Sequence, residues 1–327
     1  MKMKKTLALI MTAAMSFATL TGCSETTNNY MKELAKTSEW EATSSEASGS
    51  VKVEAQGLTE NISFTSTAYA AGDKAYADIK FTDPSGVFNI PEIKAYADGS
   101  TAYINKSYYE GLYTMMGQSV PEGLKNVNAE YIAIDTGMET DELKTMMTDT
   151  DAIVKLSKSI FGDSDIDLPY VQNGREYTMN LDSDQVVDLG VKGINAVSKN
   201  LENVNTTFKL GLTSDQIAEV KNQLADESFT QGVTAVKDAI KGSTISVKEV
   251  FEDSKYTSAV NVNIQVKDIC KVSVTTNSTS TKAEVKDIAM PTSVAKFNQE
   301  QINQLLASEQ QAAVSNTSLA KAIEEVA

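Results

Sequence analysis

Histidine is absent from all 327 residues of the chain. Its absence removes Ser-His-Asp and Cys-His catalysis, histidine general bases and the common zinc sites. Enzyme chemistry would fall to carboxylates, Lys, Ser or Tyr, and no clustered motif of those residues stands out. Cysteine is almost as scarce, with Cys23 and Cys270 alone. Cys270 falls in an alternating strand pattern and reads as a small buried hydrophobe. Basic charge is short as well: 29 Lys and Arg stand against 44 Asp and Glu, a formal net charge of −15. Such a surface is a poor partner for nucleic acid or anionic lipid headgroups and mainly promotes solubility. After the N-terminal residues no apolar stretch is long enough to span a bilayer.

What is present begins at the N-terminus. Lys2, Lys4 and Lys5 give a positive start, and Thr6 to Thr21 carries no charge. Leu20-Thr21-Gly22-Cys23 follows, a small-residue cleavage site ahead of a thiol. This order is that of a secretory signal, to be set aside from fold reasoning. Leu-Thr-Gly-Cys resembles the lipobox of bacterial lipoproteins. The resemblance implies a diacylglyceryl thioether on Cys23, cleavage between Gly22 and Cys23, and Cys23 as the mature N-terminus. One acyl chain anchors only marginally, at about 0.8 kcal/mol per buried methylene, whereas two or three on one cysteine hold firmly. With Cys23 acylated, Cys270 has no partner for an intrachain disulfide. The expected organisation is a signal peptide over 1–22, a lipidated polar tether over 23–29 and one α+β domain over 30–327. Two sheet-plus-helix domains dividing near 170 are the alternative.

Within that body, Trp40 to Asn105 alternates in period two, with turns about every ten residues, and reads as an antiparallel meander. Val51, Val53 and Ala55 share a face, as do Ile62 and Phe64, and Ala75, Ala77, Ile79 and Phe81. Ala-Gly-Asp at 71–73, Asp-Pro-Ser-Gly at 83–86 and Ala-Asp-Gly at 97–99 supply turns. The middle is helical. Thr140 can cap a helix ending at Gly162. Asp182 with Gln185 opens a second, striped by Val186, Leu189, Ile194, Val197, Leu201 and Val204. Thr213 with Gln216 opens a third, with Ile217, Val220 and Leu224 on one face. Short strands are expected near Tyr131–Asp135 and Arg175–Leu181. Alternation returns from Ile245 to Val274, Pro291 closes this second meander, and Asn298 with Gln301 starts a C-terminal helix. Strands, helices, strands, helix is an α+β order. A curved antiparallel sheet built from both meanders and packed over the central helices accounts for it.

A lipobox, a meander, Ala-Tyr-Ile-Asn-Lys-Ser-Tyr-Tyr at 102–109, and a second meander ending in Val-Lys-Asp-Ile-Ala-Met-Pro at 285–291 resemble the LolA-like group of lipoproteins and lipid carriers. That group includes the LppX/LprG-type cell-wall lipoproteins. The resemblance implies a half-open β-barrel whose concave apolar face holds acyl chains beneath lid helices, with no catalytic set and no cofactor.

Tyr108 to Met116 is the densest aromatic and methionine stretch. Tyr109, Leu112, Tyr113 and Met116 are the candidate lining of a hydrophobic pocket, joined by Met146 and Met147; the same residues would serve equally as filled core. Asp163-Ser164-Asp165-Ile166-Asp167 has calcium-loop spacing at its start, but Leu168 and Gly174 replace the required Gly and Glu, so it reads as an acidic surface loop. Asp182 and Asp184 suit a helix start. The expected function is non-enzymatic: a membrane-anchored extracytoplasmic lipoprotein that binds a lipid or other hydrophobic ligand. The alternative is a surface module with a filled core that contacts wall polymers or a protein partner. Cys23→Ala should move the protein from the membrane to the soluble fraction on fractionation; unchanged retention contradicts the lipobox reading.

Overall fold

A computed structural model of the chain describes residues 24–135, 159–162, 167–208, 210–298, 301, 302 and 305. Gly22, Cys23, Met146, Met147 and the Thr140 cap lie outside them. The fold is α+β, with twelve strands in one open sheet of order β12-β6-β5-β4-β3-β2-β1-β11-β10-β9-β8-β7. The strands are β1 (Ala42–Ala55), β2 (Leu58–Ala71), β3 (Lys74–Thr82), β4 (Ile93–Asp98), β5 (Thr101–Asn105), β6 (Tyr131–Asp135), β7 (Val171–Asn173), β8 (Glu176–Asp182), β9 (Thr244–Phe251), β10 (Lys255–Val266), β11 (Cys270–Lys282) and β12 (Val294–Phe297). The ladders β2–β3, β3–β4, β4–β5, β5–β6, β7–β8, β8–β9, β9–β10 and β10–β11 are antiparallel, and the short β12–β6 pair is parallel. Hairpin turns need positive φ, and glycine supplies it at Gly57 and Gly72, where it costs no Cβ clash. Asp268 takes the same conformation at the β10–β11 turn, a place where Asp is tolerated because its short side chain bonds locally.

The helices are α1 (Glu25–Ser38), α2 (Lys106–Met115), α3 (Glu122–Lys125), α4 (Ser183–Lys199), α5 (Leu201–Thr207), α6 (Ser214–Ala225) and α7 (Glu227–Ala239). Their starts obey capping chemistry. Asp182 and Gln185 form a complete capping box on α4, and Thr213 and Gln216 another on α6. Asn298 and Gln301 exchange the same pair of bonds at 2.9 and 2.8 Å. Gly162, at φ +63°, ends the helical turn that holds Ile160 and Phe161.

By contacts the chain forms two compact units whose segments interleave: 1–40, 47–61 and 141–282 in one; 41–46, 62–140 and 283–327 in the other. No boundary falls near 170. In the first unit, Ile160, Phe161, Ala196, Val197, Leu201, Val204 and Ile217 form a helical core, while Tyr30, Met31, Tyr177 and Phe251 pack α1 on the sheet. In the second unit, Tyr113, Leu124, Ile132 and Ile302 form one core, and Ala42, Tyr69 and Ile288 another.

Three expectations change. Residues 25–29 are not a tether but the opening turns of α1, because Ser24 caps the helix and Thr27 is 1% exposed. Ile194 and Val220, assigned to buried stripes, are exposed; α4 and α6 each bury a narrower face than their apolar spacing suggests. Cys270 is half-buried where a buried hydrophobe was expected. Strands β7 and β12 carry three and four residues, too few to show a period. Asp182→Ala should cost about 1 kcal/mol, read as a lower urea midpoint with unchanged slope; an unchanged midpoint contradicts a working cap.

Candidate functional site

Register decides what the second unit presents. Tyr69 lies opposite Tyr76, Tyr76 opposite Tyr96, and Tyr96 opposite Tyr103. Side chains alternate between faces, so four tyrosines form a row on one face of β2–β5. The residues beside them then face the other way. Ala68 is opposite Ala77 and Ala70 opposite Ala75; on the next pair, Ala75 meets Ala97 and Ala77 meets Ala95. The signal in the sequence is the triplet Ala-Tyr-Ala, repeated at 68–70, 75–77 and 95–97. It writes one alanine patch and one tyrosine row.

The tyrosine face is packed at Tyr69 and Tyr103, while Tyr76 is exposed. Tyr69 and Tyr76 rings are 6.2 Å apart, as are Tyr76 and Tyr96, and Tyr96 meets Tyr131 edge-on at 5.6 Å. The segment carrying Ala283, Ile288 and Met290 packs against Tyr69 and Tyr96. It is pinned there by the Tyr69 hydroxyl, which donates to the Glu284 carbonyl at 2.8 Å and accepts from the Lys286 N–H at 2.6 Å.

The alanine face is recessed. Ala68, Ala70, Ala75, Ala77, Ala95 and Ala97, with the intervening Tyr69, Tyr76 and Tyr96 and with Thr43 and Ser45 of β1, line a depression of about 260 Å³. Small side chains between flanking strands leave that hollow. Its floor stays accessible: Ala70 is exposed and the other five alanines are half-buried. Along the same face, the opposed pairs Ile79–Ile93 and Phe64–Phe81 continue the apolar strip, all four half-buried.

The residues singled out from sequence lie elsewhere. Tyr113 is buried in a filled cluster with Leu124, Ile132 and Ile302, against which Tyr109 also packs. Leu112 is half-buried and Met116 is 50% exposed. None of the four lines the alanine depression. Gly111 sets the seat of α2, since a Cβ there would stand 2.5 Å from the Cβ of Pro91.

A second cluster sits in the first unit. Glu249, 6% exposed, accepts hydrogen bonds from the Tyr256 hydroxyl at 2.6 Å, the Tyr170 hydroxyl at 3.0 Å and Ser258 Oγ at 3.4 Å. Tyr30 stacks against Tyr170 at 4.7 Å and meets Tyr177 and Phe251 edge-on. Burial, and after it the Glu249 carboxylate, push the Tyr30, Tyr170 and Tyr256 hydroxyls far above the usual phenol range. Enclosed donors on a buried carboxylate make a clamp that holds α1, since a reacting group would need an approach. Nearby, Arg175 donates twice to Glu33 of α1, at 2.6 and 3.1 Å, and once to Asp253 at 2.6 Å. Burial works to raise the Glu33 carboxyl, and the hydrogen bonds from Arg175 and Lys36 outweigh it and hold the group below its ordinary value. Of the acidic loop at 163–167, Asp167 alone is described, and it bonds to Ser24 and Thr27.

A phenol whose folded pKa is raised stabilises the fold fully below its unfolded value, and that stability drains as pH rises past it, about 10. Urea unfolding should therefore show stability flat up to about pH 10 and falling steadily above it, and Tyr170→Phe with Tyr256→Phe should make that fall shallower. A wild-type curve as flat as the double variant's contradicts the clamp. No family model matches the chain, and no curated protein matches it in sequence.

Proposed function

We propose that this protein is a non-enzymatic, membrane-anchored extracytoplasmic lipoprotein of the LolA-like kind, whose sheet holds the acyl chain of a lipid on the alanine face. The observation that carries the reading is the uncovered lining of that depression: alanine methyls, with Ile79, Ile93, Phe64 and Phe81 along its length. Apart from Thr43 and Ser45 at the β1 side, the alanines present methyls without directional hydrogen bonds, so the lining selects chain shape and apolarity over headgroup chemistry.

Magnitudes fit a carrier. The hollow, about 260 Å³, is smaller than the ~300–1,000 Å³ of sites that enclose a drug-sized ligand, so it suits one chain lying along the strands. Ten methylenes half-buried at ~0.8 kcal/mol each supply roughly 4 kcal/mol, the free energy of a millimolar complex. Loose single-chain binding lets cargo leave; a two-chain lipid would reach the micromolar range. The acidic surface disfavours anionic headgroups, which makes neutral lipids the expected cargo. Anchoring through Cys23 would keep the protein at the membrane.

Native mass spectrometry of the unlipidated body with a millimolar excess of a single-chain neutral lipid tests the reading. A lipid adduct is expected, and Ala77→Phe with Ala95→Phe, which fills the hollow at an opposed pair, should lower its occupancy about tenfold. Equal occupancy in the native protein and the double variant, or no adduct, contradicts the carrier.

A further inference from the structure

Helix α1 is fastened along its whole length. At its start the Ser24 N–H donates to Asp167 Oδ1 at 3.0 Å, and the Thr27 hydroxyl reaches the same oxygen at 3.4 Å. The Ser24 hydroxyl caps the helix through the Thr27 N–H at 3.2 Å. One turn on, Asn29 Nδ2 donates to Gln172 Oε1 at 3.2 Å. Tyr30 and Met31 are core, and Glu33 is held by Arg175. Residues 167–172 thus run beside 24–30 and bind it at three points. Ser24 is one peptide bond from Cys23. A disordered stretch would give a lipid anchor reach, and here Ser24, the residue after Cys23 in sequence, already caps α1.

We propose, on the lipid-anchor reading above, that residues 24–29 are a rigid mount rather than a tether, so that the body rests on the bilayer at the Ser24 and Asp167 contact. The partner is a lipid surface. Apposition follows from chain length: with no slack between thioether and helix cap, the protein cannot stand off from the headgroups. It also limits rotation, because α1 is fixed to the sheet. The acidic side chains Glu25 and Asp167 there favour zwitterionic over anionic headgroups.

The test uses the full-length, lipidated protein on supported phosphatidylcholine bilayers, with neutron reflectometry reading the water layer between headgroups and protein. The native protein is expected to show no resolved water layer. Ten Gly/Ser residues inserted between Cys23 and Ser24, with a span of about 17 Å, should open one. Asp167→Ala, which frees the Ser24 and Thr27 contacts without touching the core, should broaden the protein layer while leaving it bound. Native and insertion proteins with the same gap overturn the mount and leave the anchor standing. Protein that never reaches the bilayer overturns the anchor, and the mount falls with it.

Discussion

One register governs the second unit: the row that sets Tyr69, Tyr76, Tyr96 and Tyr103 opposite one another across four strands. A slip of one residue on any strand would send its tyrosine to the alanine face, filling the hollow and unpinning the segment that Tyr69 holds through Glu284 and Lys286. The packed face therefore protects the open one. Tyr69 is buried on one side, where the chain from Ala283 to Met290 packs against it and against Tyr96, while Tyr76 stays exposed. Methyls remain on the other, where a chain-shaped ligand can lie.

The first unit rests on a different constraint, a carboxylate taken out of water. Glu249 stays compatible with burial because tyrosine hydroxyls donate to it, and those rings in turn pack α1 against the sheet. Removing one partner of such a group costs more than the bond itself, since the remainder is left buried and unpaired. Glu33 and Arg175 repeat the pattern closer to solvent. Both networks act on α1, the helix that follows Cys23 in the chain.

Much of this layout was legible in the sequence. Capping pairs such as Asp182–Gln185 are local, and alternation over Val260 to Val266 is long, so helix starts and meander strands read correctly. Tyr131–Asp135 and Arg175–Leu181 were found as strands within a residue of their bounds. The start of α1 was missed because Glu25 to Asn29 is polar, and its ordering comes from Asp167, far away in sequence. The Glu249 cluster was out of reach for the same reason: Tyr30, Tyr170 and Tyr256 converge only through tertiary folding. Methionine and tyrosine are densest at Tyr109 to Met116, and there Tyr113 joins a core with Tyr109 against it, while Leu112 is half-buried and Met116 exposed. The repeated Ala-Tyr-Ala triplet was the readable signal. Its meaning depends on pairing, which places small beside small and large beside large.

The claim most exposed to test is that the alanine face receives an acyl chain. Alanine-methyl NMR of the protein with a spin-labelled fatty acid addresses it directly. The account predicts selective broadening of Ala68, Ala75, Ala77, Ala95 and Ala97, with Ala42 and Ala283 sharp; uniform broadening, or none, would contradict it.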